Sequence, residues 1–101
     1  MRNTVIIWTS EAWTDLDNVF DFLFLQSVKA ADKTIGNILS RTRQLEGFPE
    51  SGQYQNTLES KTKYRYLVEG NYKIIYTFTN GIIYIRSVFD CRQDPDKLLK
   101  L

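Results

Sequence analysis

Asn71-Tyr72-Lys73-Ile74-Ile75-Tyr76-Thr77-Phe78-Thr79-Asn80-Gly81-Ile82-Ile83-Tyr84-Ile85-Arg86-Ser87-Val88-Phe89 decides the fold. Two β-branched and aromatic runs flank Asn80-Gly81. Asn-Gly between alternating apolar residues is a strong hairpin signal, because both residues tolerate positive φ. A two-residue turn there pairs Thr77 with Tyr84, Ile75 with Arg86 and Lys73 with Val88, since successive side chains alternate faces. Ile74, Tyr76, Phe78, Ile83 and Ile85 then share one face, which reads as the core.

Working outward, residues 62–68 form a third strand-like run behind Glu69-Gly70-Asn71, so the back half is an antiparallel meander. Residues 4–8 (TVIIW) read as a short strand, and Thr9 and Ser10 offer an N-cap to a first helix reaching about Gln26. Trp13, Leu16, Val19, Phe20 and Leu23 recur at helical spacing. Ser27 caps a second helix with Ala31, Ile35, Ile38, Leu39, Thr42 and Leu45 on its apolar face. Gly47 supplies its C-cap and Pro49 forbids continuation. The short connection makes the two helices antiparallel neighbours. Phe22, Phe24 and Leu25 exceed what one core face requires; they pack on the second helix or the sheet, or they dock a partner helix or a second copy. Residues 50–60 read as a loop, Asp94-Pro95-Asp96 ends the last strand, and 97–101 is a short tail. The expected fold is α+β: an N-terminal strand, an antiparallel helical hairpin, then a three-stranded antiparallel meander, in one domain over residues 1–101.

Composition narrows the function. With 101 residues, 43% hydrophobic and 25% charged, the chain has the make-up of one small globular domain. No apolar run approaches the roughly 20 residues that cross a bilayer, and the N-terminus lacks a secretory pattern, so a cytoplasmic location is expected. Histidine is absent, which excludes serine–histidine and cysteine–histidine hydrolases and histidine-bound zinc. The single cysteine, Cys91, excludes an internal disulfide and reads as a bystander. Neither a cofactor nor a metal is expected. Residues 1–50 hold five Lys/Arg against seven Asp/Glu, whereas 51–101 hold eight against five, so the basic half is the strand-rich half. That asymmetry points weakly to a polyanionic partner.

A two-residue turn in the first hairpin adds Tyr64, Tyr66 and Val68 to the Lys73 side. The face opposite the core then reads Tyr64, Tyr66, Lys73, Ile75, Thr77, Tyr84 and Arg86. Cations interleaved with flat rings suit nucleic acid, the cations meeting phosphates while the rings stack on bases. The alternative is an ordinary solvated sheet face. A bulge in the first hairpin would instead bring Lys63 and Arg65 to this side. Arg92, between Asp90 and Asp94, is either a surface ion pair of little energetic weight or a phosphate-binding arginine at the sheet's end.

The order of elements, Phe48-Pro49 with Gly52, Tyr66-Leu67-Val68, Asn71-Tyr72-Lys73-Ile74-Ile75-Tyr76, Ile83-Tyr84-Ile85 and Val88-Phe89-Asp90-Cys91-Arg92-Gln93-Asp94-Pro95 together resemble the RelE/ParE superfamily of toxins from type II toxin-antitoxin systems. The resemblance covers nearly the whole chain. Its most specific part couples the Tyr72-to-Tyr76 strand to Arg92-Gln93-Asp94-Pro95 about twenty residues later. It implies a growth-inhibiting, plasmid-stabilising toxin held by a cognate antitoxin, as a hetero-oligomer or a homodimer.

Two targets divide the superfamily: RelE-like members cut messenger RNA on the ribosome, and ParE-like members poison DNA gyrase. Carried over by position, Lys73 matches the central-strand arginine of the RelE-like branch and Arg92 lies near its C-terminal catalytic arginine. Tyr84 would be the proton-handling residue of that set, with Tyr64, Tyr66 or Asp90 as other choices. Tyr64, Arg65, Tyr66 and Arg86 would contact the target. Tyr64 and Tyr66 stand where that branch has lysines, and the Phe89-Asp90 region replaces its histidine. The long hairpin and the Pro49/Gly52 segment look more like ParE, so gyrase is placed first, the ribonuclease second, and an inactive antitoxin-binding co-repressor third.

Overall fold

The computed structural model describes residues 4–58 and 61–100. Strand β1 (Val5–Trp8) leads into helix α1 (Ser10–Phe24) and helix α2 (Val28–Arg43), which a short 3-10 turn extends over Gln44–Glu46. Strands β2 (Gln53–Tyr54), β3 (Arg65–Glu69), β4 (Tyr72–Thr79) and β5 (Ile82–Asp90) follow, and Pro95–Lys100 closes the chain as a 3-10 helix. They form one five-stranded sheet ordered β1-β5-β4-β3-β2, with the β1–β5 pair parallel and the other pairs antiparallel. The α+β arrangement of strand, helical hairpin and meander is as expected; β2, inside the segment read as loop, adds an edge strand. Glu59, Ser60 and Leu101, which the loop and tail expectations included, lie outside the described residues.

The helix boundaries follow local chemistry. Thr9 accepts at 3.2 Å from the Ala12 amide and donates its hydroxyl to the Ile85 carbonyl at 2.8 Å, so the N-cap of α1 is also tied to β5. Ser27 caps α2 through the Ala30 amide. Two expectations are corrected here. First, α2 ends at Arg43, and Gly47 closes the 3-10 turn in a right-handed conformation (φ −89°), so no left-handed C-cap is used. Second, the inner stripe of α1 centres on Ala12, Leu16 and Val19, which rotates Trp13 outward to 47% exposure. Trp13 there stacks on Trp8 at 4.9 Å, a contact that shields part of its ring.

The hairpin at Asn80-Gly81 has φ of 54° and 77° at its two central residues, the backbone that a tight β4–β5 connection requires. From there Thr77 pairs with Tyr84 and Tyr76 with Ile85, but a β-bulge between Ile75 and Tyr76 then shifts the register. Ile75 faces Ser87 rather than Arg86, and Lys73 faces Phe89 rather than Val88. The extra residue returns Val88 to the core side and puts Phe89 on the opposite side.

The main core joins Ala12 and Leu16 of α1 and Ile38 of α2 to Leu67, Ile74, Tyr76, Ile83 and Ile85 of the sheet. The leucines and isoleucines among them each contribute roughly 1.5–3 kcal/mol on burial. The far side of the sheet is not the open face that strand alternation implies. Ile75 is 0% and Thr77 3% exposed, because Leu98 of the closing 3-10 helix wedges against Ile75 and Phe89 with Tyr64 and Tyr66 packed around it. The Leu58 amide, donating to the Leu99 carbonyl at 2.8 Å, ties the same segment down. Leu98→Ala is expected to cost about 2 kcal/mol, at the low end for a buried leucine since a terminal segment collapses into the gap. Urea unfolding checks this, and an unchanged midpoint would remove the wedge from the account.

Candidate functional site

The outer sheet face brings together Tyr64, Tyr66, Lys73, Tyr84 and Arg86. Lys73 lies 4.2 Å from the Tyr66 ring centre and donates to Gln55 Oε1 at 3.3 Å. The Tyr66 hydroxyl donates to Gln53 Oε1 at 3.0 Å, so the β2 edge holds both residues. Arg86 lies 5.0 Å from the Tyr84 ring centre and donates Nε to the Thr77 hydroxyl at 3.2 Å, which places it on the Lys73 side of the sheet. Tyr64, Thr9, Glu11, Asp15, Arg86 and Ser87 line an open recess of about 410 Å³. Cation-over-ring pairs of this kind are worth about 0.5–1 kcal/mol at an exposed site, and they hold the cation in place for a partner.

Two of the sequence-derived site residues lie elsewhere. Arg65 sits opposite Tyr76 in the β3–β4 ladder. Its guanidinium donates to the carbonyls of Glu50 (3.0 Å) and Gly52 (2.9 Å) and to the Tyr54 hydroxyl (2.8 Å), with Glu50 as an ion partner. That is a brace for the 50–54 segment. Arg92 clasps Asp90 through Nε and Nη2 at 2.9 and 2.7 Å, and Asp90 pairs across the ladder with Tyr72, a member of the main core. Lys73 and Arg92 are therefore directed to opposite sides of the sheet, and Tyr84 lies beside Arg86 rather than between them. Cys91 is exposed. Among the described residues no cluster of three or more acidic or cysteine side chains can hold a metal ion, and no helix is long and apolar enough to cross a membrane.

Comparison with known proteins adds a family to this geometry. A model of the ParE toxin of the type II toxin-antitoxin system parDE matches residues 6–95. The chain belongs to the ParE toxin family. Among solved structures it resembles a chain of the chromosomal ParDE toxin-antitoxin system from P. aeruginosa, with a TM-score of 0.69 and 19% identity, covering 86% of this chain and 95% of that one. At that identity the likeness is one of fold. Comparison with curated protein sequences gives no match.

In this ParE-family chain the electrostatics of the Asp90–Arg92 clasp are distinct. The Arg92 hydrogen bonds hold the Asp90 carboxyl below its ordinary range, and Asp90 in turn raises Arg92. Burial, with the Asp90 charge second, raises the Tyr72 hydroxyl; burial also raises Tyr76. A carboxyl whose folded pKa is depressed adds stability above its unfolded value of about 3.9, and that stability is lost as pH falls through the folded value. Arg92→Ala is therefore expected to lower stability above about pH 4, with the gap to the parent narrowing in stronger acid. Thermal unfolding across pH 2–7 checks this; a gap that stays constant into acid would deny the clasp its ionic part.

Sequence reading missed Asp15. From α1 its Oδ2 accepts from the Ser87 hydroxyl at 2.8 Å and the Val88 amide at 3.0 Å, closing the β5 edge just past the end of β1. Nothing in the helical pattern marks it, because an aspartate on a polar helix flank is ordinary. Gln55, the partner of Lys73, was hidden inside the segment read as loop.

Proposed function

We propose that this ParE-family chain is the growth-arresting toxin of a plasmid-stabilising pair, held by a cognate antitoxin in the cytoplasm, and that it acts on DNA gyrase as a binding inhibitor rather than as a nuclease. The observation that carries the reading is the separation of the charged groups. Cleaving RNA by 2′-hydroxyl attack needs a base, an acid and phosphate-stabilising cations around one point. Lys73 and Arg92 are directed to opposite sides of the sheet, and the Arg92 guanidinium is occupied by Asp90. What remains on the outer side is a recognition surface, Tyr66, Lys73, Tyr84 and Arg86, with exposed Arg86 at its rim.

Purified toxin is expected to inhibit supercoiling by gyrase in vitro. Arg86→Ala should weaken inhibition by about tenfold, the order expected for an exposed arginine anchor in an interface. No inhibition at saturating toxin would reject the gyrase reading.

The second reading, a ribosome-dependent endoribonuclease, draws support from the two cation-over-ring pairs on one face, a combination suited to stacking and phosphate contact. Under it, Lys73→Ala, Arg92→Ala and Tyr84→Phe each relieve transcript cutting in expressing cells without unfolding the chain. An inactive antitoxin-binding co-repressor would instead be harmless when expressed alone.

A further inference from the structure

The helical hairpin ends in an apolar tip that the sheet does not cover. Leu25 is 87% exposed, and Phe22, Phe24 and Val28 are exposed around it. Phe20 packs its ring 5.6 Å from that of Phe24 and still leaves Phe24 open to solvent. The tip has a fixed shape: the Gln26 and Ser27 amides both donate to the Leu23 carbonyl, at 2.9 and 2.8 Å, and Ser27 caps α2. Large apolar side chains gathered in the open on a small chain mark a contact surface.

The two helices behind the tip carry opposite charge. Helix α1 has Glu11, Asp15, Asp17 and Asp21 and neither Lys nor Arg, whereas α2 has Lys29, Lys33, Arg41 and Arg43 against Asp32. Asp15 is engaged by Ser87 and Val88, and Arg41 by the Val68 carbonyl. Among the described residues no ion pair involves Asp17, Asp21, Lys29 or Lys33. Asp17, Asp21 and Leu25 follow one another at one-turn spacing on the exposed side of α1, as Lys29 and Lys33 do on α2.

We infer that this tip is the contact surface of a symmetric dimer of the chain, in which α1 of one copy lies antiparallel to α2 of the other. A two-fold contact needs a surface that complements itself, and a hairpin with one acidic and one basic helix does so. An axis along the hairpin sets Leu25 against Val28 of the second copy and brings Asp21 level with Lys29 and Lys33 of that copy. A specific interface covers about 800 Å² per partner, so the apolar tip forms its centre and the charged turns its rim. The helices cover the side of the sheet opposite Lys73 and Arg86, so both outer faces stay open in such a dimer. The inference goes beyond the gyrase reading and is independent of it.

Sedimentation equilibrium of the free chain, without antitoxin, tests this. The parent is expected to show a concentration-dependent dimer in the micromolar range. Leu25→Asp should leave only monomer where the parent is dimeric. Asp21→Lys and Lys33→Glu should each weaken the dimer about tenfold, since symmetry repeats every contact. All three side chains are exposed, and circular dichroism checks that the variants fold. The double variant Asp21→Lys with Lys33→Glu should dimerise more tightly than either single one, because the pair is restored with its signs exchanged. A parent that stays monomeric at its highest soluble concentration would overturn the proposal. So would a dimer unchanged by Leu25→Asp, or a double variant no tighter than the singles. A monomeric parent whose antitoxin complex is weakened by Leu25→Asp would overturn it by giving the tip to that partner.

Discussion

Gly52→Ala is expected to destabilise the chain by about 3 kcal/mol or more, the upper part of the range for forcing extra atoms into a packed site. A Cβ on Gly52 would meet the Tyr76 hydroxyl at 2.6 Å, the Tyr76 ring at 2.7 Å and the Tyr66 carbonyl at 2.9 Å. The Tyr66 carbonyl belongs to the β3 backbone, and Tyr76 is fully buried, so neither neighbour swings aside. The methyl would also break a link. The Gly52 amide donates to the Tyr76 hydroxyl at 2.9 Å, and that hydroxyl donates to the Pro49 carbonyl at 2.9 Å. Tyr76→Phe should remove the two hydrogen bonds without the clash, costing about 1–3 kcal/mol. Urea unfolding of the two single variants and the double checks the order. If Gly52→Ala were the milder change, steric closeness would not be the reason for glycine here.

Much of this fold could be read from residues 71–89 because turn chemistry and strand alternation agree there: Asn80-Gly81 fixes the hairpin, and Ile74, Tyr76, Ile83 and Ile85 reach the core as alternation requires. The capping hydroxyls of Thr9 and Ser27 mark the helix starts for the same reason, a local demand met by a local residue. What escaped depends on contacts distant in sequence. Leu98 buries Ile75 and Phe89 from a segment that looks like a tail, and the β-bulge has no signature in a run of strand formers. Trp13 carries helical spacing, yet it leaves the core because Trp8 offers its ring a partner at the edge. Of the candidate site, the Tyr66–Lys73 and Tyr84–Arg86 groupings follow from alternation alone. Alternation could not choose between the alternatives for Arg65 and Arg92, because a guanidinium's partners, Glu50 with Gly52 in one case and Asp90 in the other, are settled by folding.

Asp15→Ala is expected to cost about 2–4 kcal/mol, since it strips a charged acceptor from two donors at once. The Ser87 hydroxyl and the Val88 amide lie beside the bulge, past the end of β1, where no neighbouring strand offers a carbonyl. A functional loss should exceed what stability alone explains. Arg86 stands at the bulge, and a slack bulge no longer fixes its guanidinium over Tyr84. Asp15→Asn keeps one acceptor oxygen and should fall between the parent and the alanine variant in both measurements. Chemical denaturation together with the supercoiling assay, run below the unfolding midpoint, separates the two effects. Parent-like inhibition by a fully folded Asp15→Ala protein would show that Arg86 needs no such support.

The register slip between Ile75 and Tyr76 amounts to one surplus residue in β5. Keeping every residue but pairing β5 with β4 one for one, without that slip, would give a smoother strand on paper and a worse protein in solution. From that point on, every side chain would trade inside for outside: Phe89 would be driven beneath the helices and Val88 would surface under Leu98. One surplus peptide unit therefore sets which half of the strand's chemistry the solvent meets.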